Sequence, residues 1–142
     1  VYDSLLNQVD VFSPDIQQAT LITGVVDVAY ISSTLTNWGA RTIAIRMGEQ
    51  GSYLATQDGK AWHIPAVAKE IVDVTGAGNA YCGGLLVGIA EGLDVRDAAL
   101  RAAVSASFAL EQFGVPSFGN DLVEEAKSRL SWARQRIVEN GV

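Results

Sequence analysis

Residues 73 to 84 read Asp73-Val74-Thr75-Gly76-Ala77-Gly78-Asn79-Ala80-Tyr81-Cys82-Gly83-Gly84, and the fold is decided here. Gly76 and Gly78 flank a single alanine at the start of a helix whose apolar positions include Tyr81, Leu85 and Ile89 and which Gly92 ends. Without side chains at the two glycines, a ligand can approach the backbone closely, and the first N–H groups of a helix have no partner within it. Such a turn suits an anion. Gly83 and Gly84 are expected to let the first turns of the helix pack tightly. The general phosphate motifs do not fit: a dinucleotide fingerprint needs glycine where Tyr81 stands, and the lysine and hydroxyl of a P-loop are missing. From these residues alone, a glycine-rich strand-to-helix turn with no ligand stays open.

Upstream, Val9 to Phe12 is a short apolar run, followed by Ser13 as a candidate helix N-cap and Pro14 at a first helical position. Gly24 breaks the chain, then Val28, Ile31, Leu35 and Trp38 recur at helical spacing up to Gly39. In Thr42 to Met47, Ile43, Ile45 and Met47 alternate with Thr42, Ala44 and Arg46, as in a strand. Strand, helix, helix, strand suggests a parallel crossover. Gly48 and Gly51 bracket a turn, Ser52 to Gln57 reads as a strand, and Asp58-Gly59 predicts a hairpin into Ala61 to Ile64. The sheet is therefore expected to be mostly parallel with an antiparallel edge.

Downstream, Asp94 and Asp97 suit the cap and first turn of a helix running from Val95 to Phe113, stopped by Gly114 and Pro116. Its alanine-rich, apolar body points to burial. A last helix from about Asn120 carries Leu122, Ala126, Leu130, Ala133 and Ile137 on one stripe.

The chain has 142 residues, 49% hydrophobic and 18% charged, which excludes the disordered and highly charged classes. Ten Lys and Arg against sixteen Asp and Glu give a net charge of −6, so nucleic acid is not an expected partner. No apolar run approaches the roughly 18 residues that cross a bilayer, and no signal-peptide pattern opens the chain. Cys82 has no second cysteine to pair with, so a reducing, cytoplasmic compartment is expected and a membrane partner is not. The text opens at Val1, without methionine, in residues that read as the end of a helix, and a fragment of a longer chain is expected.

The segment from Asp73 to Gly84 resembles the second signature of the ribokinase or PfkB family of carbohydrate kinases, D-x-x-G-A-G-D-x-F-x-G-G. Pro14-Asp15 after a strand, Arg46-Met47-Gly48-Glu49-Gln50-Gly51, and the alanine-rich helix ending at Gly114 agree with that family in order. The resemblance covers nearly the whole chain but only the C-terminal half of a typical member. It implies a three-layer α/β/α sandwich, with residues 1–142 as the nucleotide-binding half, and ATP-dependent phosphorylation of a sugar or related alcohol. Gly76, Ala77 and Gly78 would form the anion hole for the transferring phosphoryl group through their amides. Arg46, Gly48, Gly51 and Thr75 would border the nucleotide, and Ser105 to Gly114 its adenine; for Arg46 to Gly51, a plain turn between strands is an equal alternative, and for each residue of Ser105 to Gly114 plain core stays open. Asp73 and Thr75 would serve a monovalent-cation site, although Asp73 alone would also cap the turn.

Two departures bear on chemistry. The family's base is the aspartate ending G-A-G-D, and here Asn79 stands there; a carboxamide accepts no proton, so a general-base contribution of about 10²–10⁴-fold is absent. The family's N-x-x-E element, which helps hold the magnesium water shell, reads Asp15-Ile16-Gln17-Gln18. Asp15 supplies one carboxylate and Gln18 only a weak neutral ligand for Mg²⁺. The implied partners are ATP or another adenine nucleotide, the alcohol acceptor, the N-terminal half of the same chain, and room for a homodimer. A pseudokinase that retains binding, and a ligand-free interaction domain, are the rival readings. His63 reads as a structural histidine, Cys82 as a small core residue, and Trp38, Trp62 and Trp132 as packed side chains.

Overall fold

The computed structural model describes residues 2–140. They form two compact units, one of residues up to His63 together with those from Val138 onward, the other running from Ile64 to Ile137.

The first unit holds helix α1 (Tyr2–Leu6), strand β1 (Val11–Phe12), helices α2 (Ile16–Thr23) and α3 (Val28–Asn37), strand β2 (Thr42–Arg46), a 3-10 turn at Gly48–Gln50, strands β3 (Ser52–Thr56) and β4 (Ala61–Ile64), and β5 (Val138–Asn140). The strands lie in the order β1-β2-β3-β4-β5. β1 and β2 are parallel, with Val11 opposite Thr42, because a crossover through two helices carries the chain back to run the same way. β2 and β3 are antiparallel from Thr42 opposite Thr56 to Arg46 opposite Ser52, and β4 and β5 are antiparallel from Ala61 opposite Asn140. The sheet is mixed, not mostly parallel as the sequence suggested. Short returns cause this: the turn after Arg46 leads straight into β3, and at Asp58-Gly59 the Thr56 N–H donates to Lys60 O at 2.9 Å with Gly59 at φ 86°. Only the helical crossover leaves room for a parallel neighbour.

Leu6, Ala19, Ile31, Leu35, Ala40, Ile43 and Ile45 form the core of this unit. Ile31 and Leu35 come from the helical stripe of α3, Ile43 and Ile45 from alternate positions of β2, so the two sequence periods converge on one core. Each of these side chains contributes on the order of 1.5–3 kcal/mol by leaving water. Asp27 starts α3, its carboxylate accepting from the Ala29 and Tyr30 N–H groups at 3.0 Å each. Helix α2 starts differently from the sequence expectation. Ser13 does not cap it, because its hydroxyl donates to Ala44 O at 2.9 Å; Asp15 is the N-cap and Ile16 the first helical residue.

In the second unit, a segment from Pro65 leads to helices α4 (Ala77–Ala90), α5 (Val95–Leu110) and α6 (Leu122–Arg134). Asp94 caps α5, its carboxylate accepting the Asp97 N–H at 2.8 Å. Helix α5 ends at Leu110 with Glu111 as its C-cap, one turn short of Phe113, which is exposed. Where α4 packs on α5, a Cβ at Gly84 would stand 2.9 Å from Ser105 Cβ and 3.0 Å from Ala102 Cα, and one at Gly88 would stand 2.9 Å from Ala98 Cβ. Gly83 has no such neighbour: a Cβ there would meet nothing within 4 Å. Tight packing therefore falls to Gly84 and Gly88, and the expectation for Gly83 is corrected.

On α6, Ala133 is buried as expected, but so is Arg129. Trp62 is buried and Trp38 stacks on Tyr2, whereas Trp132 is 42% exposed with the Arg136 guanidinium over its ring. Among the described residues, no single helix is long and apolar enough to cross a membrane.

Candidate functional site

The sequence-derived site residues fall into two groups, one in each unit. In the second unit, the chain enters the glycine turn along the end of α5. The Leu110 carbonyl accepts both the Val72 N–H at 2.8 Å and the Asp73 N–H at 3.1 Å. The Asp73 carboxylate then accepts the Thr75 N–H at 2.9 Å. The Thr75 backbone N–H, and after it the Thr75 hydroxyl, hold the Asp73 carboxyl below its ordinary value, so it is firmly ionised at neutral pH.

Gly76 follows at φ 83°, a left-handed conformation that glycine adopts without strain, and it is the N-cap of α4. An N-cap serine or aspartate would cover the first N–H groups of the helix with its own oxygen; Gly76 has none, and a Cβ there would meet nothing within 4 Å. The turn therefore leaves the start of α4 without a side-chain cap, at the positive end of a 14-residue helix, with the Ala77 N–H donating to Val74 O at 3.3 Å. Ala77 and Gly78 are half-buried and Asn79 is exposed on the first turn. Geometry and electrostatics here favour an anion. Asn79 offers an amide at that end and no proton acceptor.

In the first unit, the backbone brings Asp15 beside Arg46. The Arg46 N–H donates to Pro14 O at 3.0 Å, Asp15 and Arg46 form an isolated parallel bridge, and Arg46 Nη2 donates to Ser13 O at 3.1 Å. Arg46 Nε is buried without a partner. After Arg46 the chain turns tightly: the Met47 N–H donates to Gly51 O at 2.8 Å and the Gly51 N–H to Gly48 O at 3.0 Å. Gly48 at φ 59° and Gly51 at φ 82° and ψ −131° make that turn, the second in a region open to little but glycine. His63 Nε2 lies 2.6 Å from Gln50 O, which ties β4 to the turn and gives the histidine the structural role read from sequence.

Asp15 and Gln18 were singled out as metal-binding residues, and the structure gives both a helix-capping function. Asp15 Oδ1 accepts the Gln18 N–H at 2.8 Å while Gln18 Oε1 accepts the Asp15 N–H at 3.0 Å, a reciprocal capping box. The Gln18 carbonyl oxygen spends one of its two lone pairs on this bond. Asp15 keeps a second carboxylate oxygen, which fits the usual way proteins meet Mg²⁺, through one or two carboxylates with phosphate and water completing the shell. Among the described residues, no group of three or more His, Cys, Asp or Glu converges as a metal site.

Motif reading missed a charged cluster next to the glycine turn: Arg129 with Glu111, Glu125 and Lys69. Its one local signal was Glu125 four residues before Arg129 on α6.

Comparison with known proteins follows this geometry. The family model for pfkB family carbohydrate kinases matches residues 1–120. A cytidine kinase of Thermococcus kodakarensis is 36% identical over 91 residues, 62% of this chain and 32% of that protein. The ribokinase of Arabidopsis thaliana, solved in complex with ribose and ATP, superposes with a TM-score of 0.76 at 24% identity, over 90% of this chain and 43% of that one. A fructokinase double mutant from Vibrio cholerae, with fructose, ADP and potassium ion bound, gives a TM-score of 0.71 at 22% identity, over 78% and 37% of the two chains. The chain spans about a third or less of the length of the curated relatives it matches. Structural likeness establishes the ribokinase-like α/β fold, and the match of the family model over most of the sequence establishes the lineage: the chain belongs to the pfkB family of carbohydrate kinases.

Proposed function

We propose that residues 1–142 are the C-terminal, nucleotide-binding half of an ATP-dependent kinase that phosphorylates a sugar or related alcohol. The observation that carries this reading is the uncapped, glycine-bounded N-terminus of α4, with open space over Gly76. In the proposed mechanism, the N–H groups of Gly76, Ala77 and Gly78 bind the oxygens of the transferring phosphoryl group. These contacts gain strength as charge builds on those oxygens, which is how fixed dipoles lower a barrier, and the Ala77 N–H would exchange its 3.3 Å bond to Val74 O for a phosphoryl oxygen. By the family resemblance, Arg46, Gly48, Gly51 and Thr75 would border the nucleotide. Asp15 is the carboxylate that would stand beside nucleotide-borne Mg²⁺, which supplies charge neutralisation on the phosphates when bound. Asp73, held ionised by Thr75, is suited to a monovalent cation near the turn. The N-terminal half of such a kinase would supply the acceptor contacts and lid.

A second reading rests on one residue. With Asn79 where the family has its base, the acceptor hydroxyl lacks a proton acceptor at that position, which favours a protein that binds nucleotide and transfers slowly or not at all. Phosphoryl transfer by the complete protein, assayed with MgATP against pentoses, hexoses, nucleosides and inositol, separates the two. Turnover of about 1–100 s⁻¹ supports the kinase and requires another base. Nucleotide binding without turnover supports the pseudokinase, and neither result refutes both.

A further inference from the structure

The segment that enters the glycine turn is fastened to the end of α5 by a charge cluster that takes no part in the signature. Arg129 of α6 is 7% exposed and uses its whole guanidinium. It grips Glu111 with two parallel bonds, Nη1 to Oε1 at 3.0 Å and Nη2 to Oε2 at 2.6 Å. It also donates from Nη1 to Ser107 Oγ at 2.8 Å and from Nε to Glu125 Oε1 at 2.8 Å, and lies 4.3 Å over the Phe108 ring. Burial works against its charge, but the hydrogen bonds it donates to Glu111 and Glu125 outweigh that and raise its pKa above the ordinary value.

A clamp between α5 and α6 would need no more than the arginine and its two glutamates. Glu111 does more: its Oε1 also accepts the Lys69 backbone N–H at 2.7 Å, and Lys69 Nζ pairs with Glu125 at 2.6 Å. Three residues on, the Val72 and Asp73 N–H groups bond to Leu110 O, next to Glu111. Residues 69 to 73 are thus laid across the C-terminus of α5 at two adjacent residues. The Asp73 carboxylate then orders Thr75, and Gly76 opens α4. A fork-shaped guanidinium holds a carboxylate in one plane and one register, which a lysine cannot do.

We propose that Arg129, through Glu111, is a positioning residue for the glycine turn: it fixes the place and direction of the amides at Gly76 to Gly78. This rests on the kinase reading only where turnover is measured. Displacement of an anion-hole amide weakens contacts made mainly in the transition state, so kcat falls while nucleotide binding, which has contacts elsewhere, changes little.

The test compares the complete protein with Arg129→Met and with the double variant Arg129→Met/Glu111→Met. The single variant strands a half-buried carboxylate and is destabilised; the double variant replaces both charges by apolar side chains, which restores packing, yet leaves the Lys69 N–H without its acceptor. Three quantities are read: the thermal midpoint, amide hydrogen exchange at Lys69, Val72 and Asp73 against Ile43 and Ile45 of β2, and kinetics with MgATP and the acceptor panel.

In the double variant, the midpoint is expected to recover while exchange at residues 69, 72 and 73 rises about tenfold or more, kcat falls about tenfold, and the KM for ATP stays within about threefold. Slow exchange at those amides, or a kcat that recovers along with the midpoint, overturns the proposal and leaves a helix clamp. Where the double variant does not fold, Glu111→Gln keeps an oxygen acceptor for the Lys69 N–H but sets an NH2 group against one Arg129 N–H and so breaks the fork; faster exchange at Lys69, Val72 and Asp73 with β2 unchanged is expected, and wild-type exchange there overturns the proposal. Absence of turnover in the wild type refutes the kinase reading by itself, and the exchange measurements still decide the positioning role.

Discussion

Gly83 and Gly84 are neighbours in sequence and opposites in their surroundings, so alanine at each should act with opposite sign. At Gly83 a Cβ meets nothing within 4 Å, and Gly83→Ala gains only the helix preference of alanine over glycine, about 0.5–1 kcal/mol. At Gly84 the same gain is opposed by overpacking. The added carbon would stand 2.5 Å from Ser105 Oγ, 2.9 Å from Ser105 Cβ and 3.0 Å from Ala102 Cα. The hydroxyl can rotate away, but the Ala102 backbone belongs to a buried helix and moves only if α4 lifts off α5. Overpacking of this kind costs about 1–3 kcal/mol. Because the propensity gain is common to both variants, their difference isolates that cost: Gly84→Ala should be less stable than Gly83→Ala by about 1–3 kcal/mol. Urea denaturation with unchanged slopes measures it. A difference below about 0.5 kcal/mol would refute the close α4–α5 contact at Gly84.

Three further outcomes are expected. Asn79→Asp in the complete protein restores a carboxylate at the N-terminus of α4, where the helix dipole keeps it ionised; turnover with MgATP should rise about tenfold or more, and no rise would mean the site lacks more than its base. Asp27→Ala removes the oxygen that caps α3 and should lower stability by about 0.5–2 kcal/mol in denaturant titrations; no loss would show that the cap is inert. The Asp73 carboxyl, lower in pKa when folded than when unfolded, contributes stability that is complete above its unfolded value of 3.8 and is lost as pH falls through the folded value. A carboxyl-carbon NMR titration should place its midpoint below 3.8, and a midpoint at or above that removes the Thr75 bonds from solution.

What was legible in the sequence had local causes. Asp94 with Asp97, the alternate isoleucines of β2, and Asp58-Gly59 each act within a few residues, and the structure places a helix start, a buried strand and a hairpin there. Ser13 and Asp15 were both local candidates for the cap of α2. Contact with Ala44, 31 residues away from Ser13, decided between them. The parallel crossover and an antiparallel edge were legible, but the antiparallel pairing of β2 with β3 and of β4 with β5 was not, because the latter depends on a strand more than 70 residues away. Gly83 and Gly84 looked alike because their neighbours in α4 are apolar on every side, and only the position of α5 distinguishes them. The glycine turn itself was legible as a motif. Its support from Arg129 and Glu111 was not: Glu125, four residues before Arg129, is the one local signal, while Glu111 lies 18 residues away at the end of α5.

The central claim is that the amides opening α4 bind nucleotide phosphate. Calorimetric titration of the complete protein with ADP, against Gly78→Val, tests it most directly. Gly78 lies within α4 and is not among the left-handed glycines, so valine fits the backbone there and acts mainly by blocking the approach of a phosphate. The expected result is saturable binding by the wild type and at least a tenfold weaker affinity in Gly78→Val at an unchanged thermal midpoint. Equal affinities in the two proteins, or no binding by the wild type, would contradict the account.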